Sequence, residues 1–218
     1  MEIFNIGNYI SLSLLLYLIN KLISLNDFLI DKAIFSNHKI MNKKKVALSG
    51  GIFIFLSLFY FKFKYNYNIS FEIYAFFLLV PLGILSDKNI LKSPFKRLLL
   101  QIVILLISVY IFNIKVENSR IHLLDDLLTY TFFNYFFTIF CLLVLVNGSN
   151  FIDGLNGLAS GYFILICVSI ILLKPINNII LQDLDSFYIL LNILIVFLFF
   201  NLFNKNYLGD NGIYFLSA

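Results

Sequence analysis

Three aspartates stand where a chain this apolar has little reason to place charge. Asp87, Asp153 and Asp210 each follow an apolar run, in the settings LSDKN, NGSNFIDGLNG and YLGDNG. A carboxylate at the end of a membrane-length run is costly unless it is hydrated or used. Three of them on one face could surround a hard cation. Mg2+ commonly takes one or two carboxylates and keeps its other positions for water and phosphate oxygens. Cations lie close by, since Lys88, Lys92, Lys96 and Arg97 share the segment of Asp87. Arginine grips phosphate through paired N–H donors. Glycine lets backbone approach a ligand and leaves N–H groups free at helix starts, where anions bind. Carboxylates, cations and glycines in this grouping point to phosphate chemistry.

Plainer readings stand beside this one. Asp87 reads equally as a hydrated turn residue, and Gly209-Asp210-Asn211-Gly212 as an ordinary turn. Ser93-Pro94 reads as an N-cap followed by proline at the first helical position. Lys43, Lys44 and Lys45 read as an orientation signal, His38 as a hydrated loop residue, and Asp125-Asp126 as a solvated loop end. Pro81 with Gly83 reads as a bend, and Cys141 and Cys167 as small buried hydrophobes rather than a disulfide framework. The stretch 147–161, NGSNFIDGLNGLASG, resists such treatment. A turn needs two or three residues of this kind, and this stretch carries its Gly and Asn on into the next apolar run.

The elements that must position these residues are apolar. The chain has 218 residues, 61% hydrophobic and 13% charged, against about 25% charged in soluble domains. Mean hydropathy is +0.92. Apolar runs fall at 9–25, 47–61, 71–85, 98–112, 132–146, 155–173 and 187–203, with another beginning at 213. Several approach the roughly 20 residues that cross a bilayer as a helix. The expectation is an all-α fold: one domain over 1–218, a polytopic transmembrane helix bundle of about seven spans plus the start of an eighth. Segments 26–46, 86–97, 147–154 and 204–212 hold ten Lys/Arg and five acids, while the alternate set holds five and seven. Short basic loops stay in the cytoplasm. That places all three aspartates on the cytoplasmic side and the N-terminus outside.

These residues also carry a family resemblance. NGSNFIDGLNGLASG resembles the Asn-x-x-Asn-x-x-Asp-Gly-x-x-Gly-Leu-Ala signature of the polyprenyl-phosphate N-acetylhexosamine-1-phosphate transferases, through Asn147, Asn150, Asp153, Gly154, Gly157, Leu158 and Ala159. LGILSDKNILKSPFKRLLLQ (82–101) is similar to that family's Gly-x-x-Asp-Asp segment and following Ser-Pro-x-x-Arg-Leu-Leu-x-Gln. YLGDNG (207–212) is similar to its Leu-Gly-Asp-x-Gly, and Ser49-Gly50-Gly51 to its first cytoplasmic Gly-Gly. The motifs occur in order along essentially the whole chain.

The resemblance implies a reaction in a bacterial cytoplasmic membrane, on its cytoplasmic face. A UDP-N-acetylhexosamine and a polyprenyl (undecaprenyl) phosphate would be the partners, with membrane lipid around them, no nucleic acid, and a homodimer left open. Mg2+, or Mn2+ in its place, would be the cofactor, held by Asp210 and Asp153. Asp87 would deprotonate or orient the lipid phosphate. Asp153 with Asn147, Asn150 and Gly154 would shape the nucleotide side, and Arg97 with Lys96 would hold phosphate. Ser86 and Asn156 stand where many members have acids. The resemblance also implies further helices and a His-rich loop after Ala218, so a C-terminally truncated chain is expected. An inactive or fragmentary relative is the first alternative. A small transporter is the second, disfavoured because transporters bind near the bilayer midplane. The expected outcome of carbonate washing of membranes is full retention of the chain in the pellet; release into the supernatant would contradict the spans.

Overall fold

The computed structural model describes residues 4–31, 46–65, 76–177 and 184–218. His38 and Lys43–Lys45 lie outside the described residues. Nine α-helices run through the described residues: α1 (Ile6–Leu25), α2 (Gly50–Tyr65), α3 (Leu79–Asp87), α4 (Pro94–Phe112), α5 (His122–Leu128), α6 (Thr131–Ile152), α7 (Leu158–Asn177), α8 (Leu184–Leu202) and α9 (Gly209–Ser217). A 3-10 turn, Phe76–Leu78, leads into α3. The all-α expectation holds. Four helices, α1, α4, α6 and α8, are long and apolar enough to cross a membrane. The stretches 76–87 and 158–173 are apolar but shorter. Among the described residues four helices meet both the length and the hydropathy requirement, so the expected seven spans are matched in part.

Local chemistry explains the ends. Asn5 caps α1 by accepting from the Gly7 N–H at 3.1 Å. Ser93 is the N-cap of α4 with Pro94 at its first position, as the sequence predicts. Pro81 falls in the first turn of α3, where a missing N–H leaves no helix hydrogen bond unmade. Two segments differ from expectation. Helix α6 continues through Asn147 and Asn150 to Ile152, so 147–152 is helix and not loop. The apolar run before it is long enough for propagation to carry the helix through Gly148. The Asp125-Asp126 pair lies in α5, and Asp125 Oδ1 accepts from the Ser119 N–H and hydroxyl, both at 2.7 Å.

Helix α8 is the most enclosed of the four long helices, with half of its apolar window buried. It packs on α7, α2 and α1, and Phe53 of α2 stacks on Phe197 of α8 with centroids 6.3 Å apart. Asn134 is buried in α6 with its amide satisfied by the backbone of Val116 and Leu128. Helix α9 packs on α3, α2 and α6.

A small sheet, absent from the expectation, ties connecting segments together. β1 (Ile30–Asp31) pairs antiparallel with β2 (Val46–Leu48), which pairs parallel with β3 (Asn206–Tyr207). It brings the entries to α2 and α9 side by side. A side-chain carbon at Gly50 would lie 2.5 Å from the Leu208 carbonyl oxygen, and carbons at Gly51 and Gly83 would collide with the backbone of Asn211. Helices α2, α3 and α9 thus meet backbone to backbone. Gly83→Ala is expected to cost about 1–3 kcal/mol in SDS-induced unfolding. Gly148→Ala, where nothing stands within 4 Å, is expected to cost nothing and to gain up to about 1 kcal/mol of helix propensity; equal losses would refute the close packing.

Candidate active site

All three aspartates come together at one end of the bundle, each partly buried. Asp87 is the last residue of α3 and Asp210 the second of α9. Asp153 is the C-cap of α6. Asp87 Oδ1 accepts from the Asp210 N–H at 2.9 Å, and Oδ2 from the Asn211 N–H at 3.1 Å and its side-chain amide at 2.5 Å. A carboxylate at a helix N-terminus satisfies orphan N–H groups and meets the positive end of the helix dipole. Gly209 starts α9 with φ +68°, and a side-chain carbon there would lie 2.9 Å from Asp87 Oδ2. Glycine is required at that position on both counts.

Asp210 uses Oδ2 for three contacts: the Ser86 hydroxyl, Tyr214 Oη at 3.2 Å and Arg97 Nη1 at 3.4 Å. Arg97 Nη1 also donates to Ser86 Oγ at 3.0 Å. Ser86, at a position where the resemblance expects an acid, therefore acts as a neutral bridge between the carboxylate and the guanidinium. Asp153 sits near both other carboxylates and faces the Gly209 N–H.

Electrostatics follow from this crowding. Burial, then the Asp210 charge, push the Asp87 carboxyl up to about 7. Burial, then the charges of Asp87 and Asp210, push Asp153 up to about 8. Among the described residues no three His, Cys, Asp or Glu side chains converge tightly enough to enclose an ion. Asp87 has both oxygens occupied by α9 donors, so a cage of three aspartates is not formed. Asp153 and Asp210 remain as an all-oxygen pair, which fits a hard cation that completes its shell with water and phosphate oxygens.

The remaining sequence candidates divide. Asn147 and Asn150 lie three residues apart on the last turns of α6, which places them on one helix face. The Asn147 amide donates to Gln101 Oε1 at 3.0 Å and to the Leu143 carbonyl at 2.9 Å. Gly154 has open space around it, with no neighbour closer than 4.0 Å to an added carbon. Lys96 is exposed on the first turn of α4. Lys88 Nζ lies over the Phe28 ring, 3.7 Å from its centroid. Asn156 pairs with Asn204.

Sequence reasoning passed over Asn211, Tyr214 and Asn201. Asn201 Oδ1 accepts from the Gly157 N–H at 2.6 Å, and its amide donates to the Asn206 carbonyl at 2.8 Å, so it joins the Asp153 loop to β3. The available signals were slight: a polar residue inside Gly-Asp-x-Gly, and a tyrosine one helical turn after Asp210.

Apolar spans capped by converging carboxylates, a guanidinium and glycine-bounded backbone define a membrane protein with a site at the end of its bundle. Residues 69–218 match the family described as glycosyl transferase family 4, and the chain belongs to that family. It is a transferase that passes a sugar phosphate to a lipid carrier, with a sugar nucleotide as donor and a lipid phosphate as acceptor. No curated protein matches the chain.

The raised carboxyls set the sign of the pH response. Each binds its proton more tightly folded than unfolded, so stability is fullest below about pH 4 and falls as pH rises through 7 to 8. The melting temperature of the ligand-free protein is expected to decline from pH 5 to pH 8.5, and Asp153→Asn to flatten that decline. A melting temperature that rises over this range would refute the assignment.

Proposed function

We propose that the chain transfers N-acetylhexosamine-1-phosphate from a UDP-sugar to undecaprenyl phosphate, releasing UMP and starting a lipid-linked cell-envelope glycan. The observation that carries this reading is the meeting of Asp87, Asp153 and Asp210 with Arg97 at one end of an apolar bundle, in a member of glycosyl transferase family 4. A lipid phosphate and a water-soluble nucleotide can meet only at a membrane surface. The charge distribution of the connecting segments argues for the cytoplasmic face, with the N-terminus outside, and the family resemblance for a bacterial inner membrane.

An oxygen of the lipid phosphate attacks the sugar-linked phosphorus of the donor. The bond from that phosphorus to the bridging oxygen breaks, and UMP leaves with the electron pair. Asp87, fixed by the first turn of α9, accepts the proton of the lipid phosphate or orients it. Arg97 exchanges its contact with Asp210 for phosphate oxygens, which it can grip through two N–H groups. Asn147, Asn150 and Gly154 line the nucleotide side with Asp153, and Lys96 adds positive charge at the rim. Mg2+, held by Asp153 and Asp210, would neutralise the charge that develops on the diphosphate.

Groups gathered at span ends argue for this reading over transport, whose binding residues belong near the midplane. The test is UMP release in nanodiscs from UDP-N-acetylglucosamine and undecaprenyl phosphate. Release is expected to depend on Mg2+, to stop with EDTA, and to fall at least about 100-fold in Asp210→Ala and Asp87→Ala. Activity that survives both substitutions would reject the residue roles.

A further inference from the structure

The Asn211 side chain is fully buried, and its hydrogen bonds run to three different segments. Its Oδ1 accepts from the Gly51 N–H at 2.6 Å, at the start of α2. Its Nδ2 donates to the Leu48 carbonyl in β2 at 3.2 Å and to Asp87 Oδ2 at 2.5 Å. Its backbone N–H reaches the same Asp87 oxygen at 3.1 Å. Of the three donors that hold the Asp87 carboxylate, two belong to Asn211, and the side-chain amide is the closest.

No other side chain meets these demands. The site needs one acceptor and two donors on a single planar group, which an amide supplies. Aspartate would keep the acceptor for Gly51 but would offer Asp87 a like charge. Leucine has similar size and would remove the partner of the Gly51 N–H and of the Leu48 carbonyl. Serine is too short to span from α2 to α3. Glutamine adds a methylene where Gly51 and Gly83 already touch the Asn211 backbone.

From this we infer that Asn211 is the positioning residue for Asp87: it fixes the direction of that carboxylate and ties it to β2 and to the start of α2. The role rests on the transferase reading, because orientation matters for chemistry only if Asp87 meets the lipid phosphate. In that reaction a small rotation of Asp87 lowers the rate of the chemical step and leaves donor binding alone. Asn211 is thus distinguished from a residue that only stabilises the junction of α2, α3 and α9.

The experiment is a double-mutant cycle on the full chain in nanodiscs with Asn211→Asp, Asp87→Asn and the two combined. Melting temperature is read by circular dichroism, and UMP release by steady-state kinetics with UDP-N-acetylglucosamine and undecaprenyl phosphate. Each single substitution is expected to lower the melting temperature by about 5 °C. The combined variant is expected to lose less than the sum of the two, because both substitutions break the same contact. Asn211→Asp is expected to lower kcat about 100-fold with the donor KM within about threefold of the original. The combined variant shows no turnover, since the carboxylate at position 87 is gone. Additive losses of melting temperature, or an unchanged kcat in Asn211→Asp, would overturn the assignment. If Asn211→Asp does not fold, Asn211→Ser is combined with Asp87→Asn in the same cycle. A wild-type chain silent in UMP release would remove the transferase reading, and the melting-temperature cycle would then decide by itself whether Asn211 holds Asp87.

Discussion

The first turn of α9 lies against α2 and α3 with no side chain between the backbones, and the polar end of the molecule depends on that approach. Gly50, Gly51 and Gly83 leave the room. Close approach alone would strand the N–H groups that open α9, and buried N–H groups without partners are costly. Asp87 accepts those of Asp210 and Asn211. One carboxylate thus satisfies a helix start, joins two segments far apart in the chain, and sits at the centre of the site.

The same arrangement gathers negative charge. Three carboxylates share the region, and Arg97 lies 3.4 Å from one of them, Asp210. Ser86 donates a hydroxyl to Asp210 where a carboxylate would have added a fourth charge. Burial first, and then this excess, raise the carboxyls of Asp87 and Asp153. Under the proposed reaction a diphosphate brings still more negative charge, so a divalent cation is the natural complement. The Arg97 contact with Asp210 is then a resting pairing that substrate phosphate replaces.

Much of the architecture was legible from hydropathy alone. Helices fall at each apolar run, because a chain in lipid satisfies its backbone groups within the segment or not at all. The Ser93-Pro94 start of α4 could be read because an N-cap and its proline are adjacent residues. The continuation of α6 through Asn147 and Asn150 was misread. Polar side chains and a glycine there look like a loop by composition, whereas helix propagation from a long apolar run carries through them. The sheet was invisible, since strands of two or three residues leave no periodicity and are made by pairing between distant segments.

The site divides along the same line. The sequence by itself determined which residues could do chemistry, because aspartates, an arginine and glycines at the ends of apolar runs are expensive wherever they occur in lipid. It did not show that Asn147 and Asn150 ride the last turns of α6 with Asp153 as its C-cap. Only the tertiary structure decided how the aspartates divide their work. Asp87 spends its oxygens on α9, Asp210 is bridged to Arg97 through Ser86, and Asn211 holds the junction. Those assignments depend on contacts between residues more than a hundred positions apart, and no local pattern encodes which distant N–H a given carboxylate will meet.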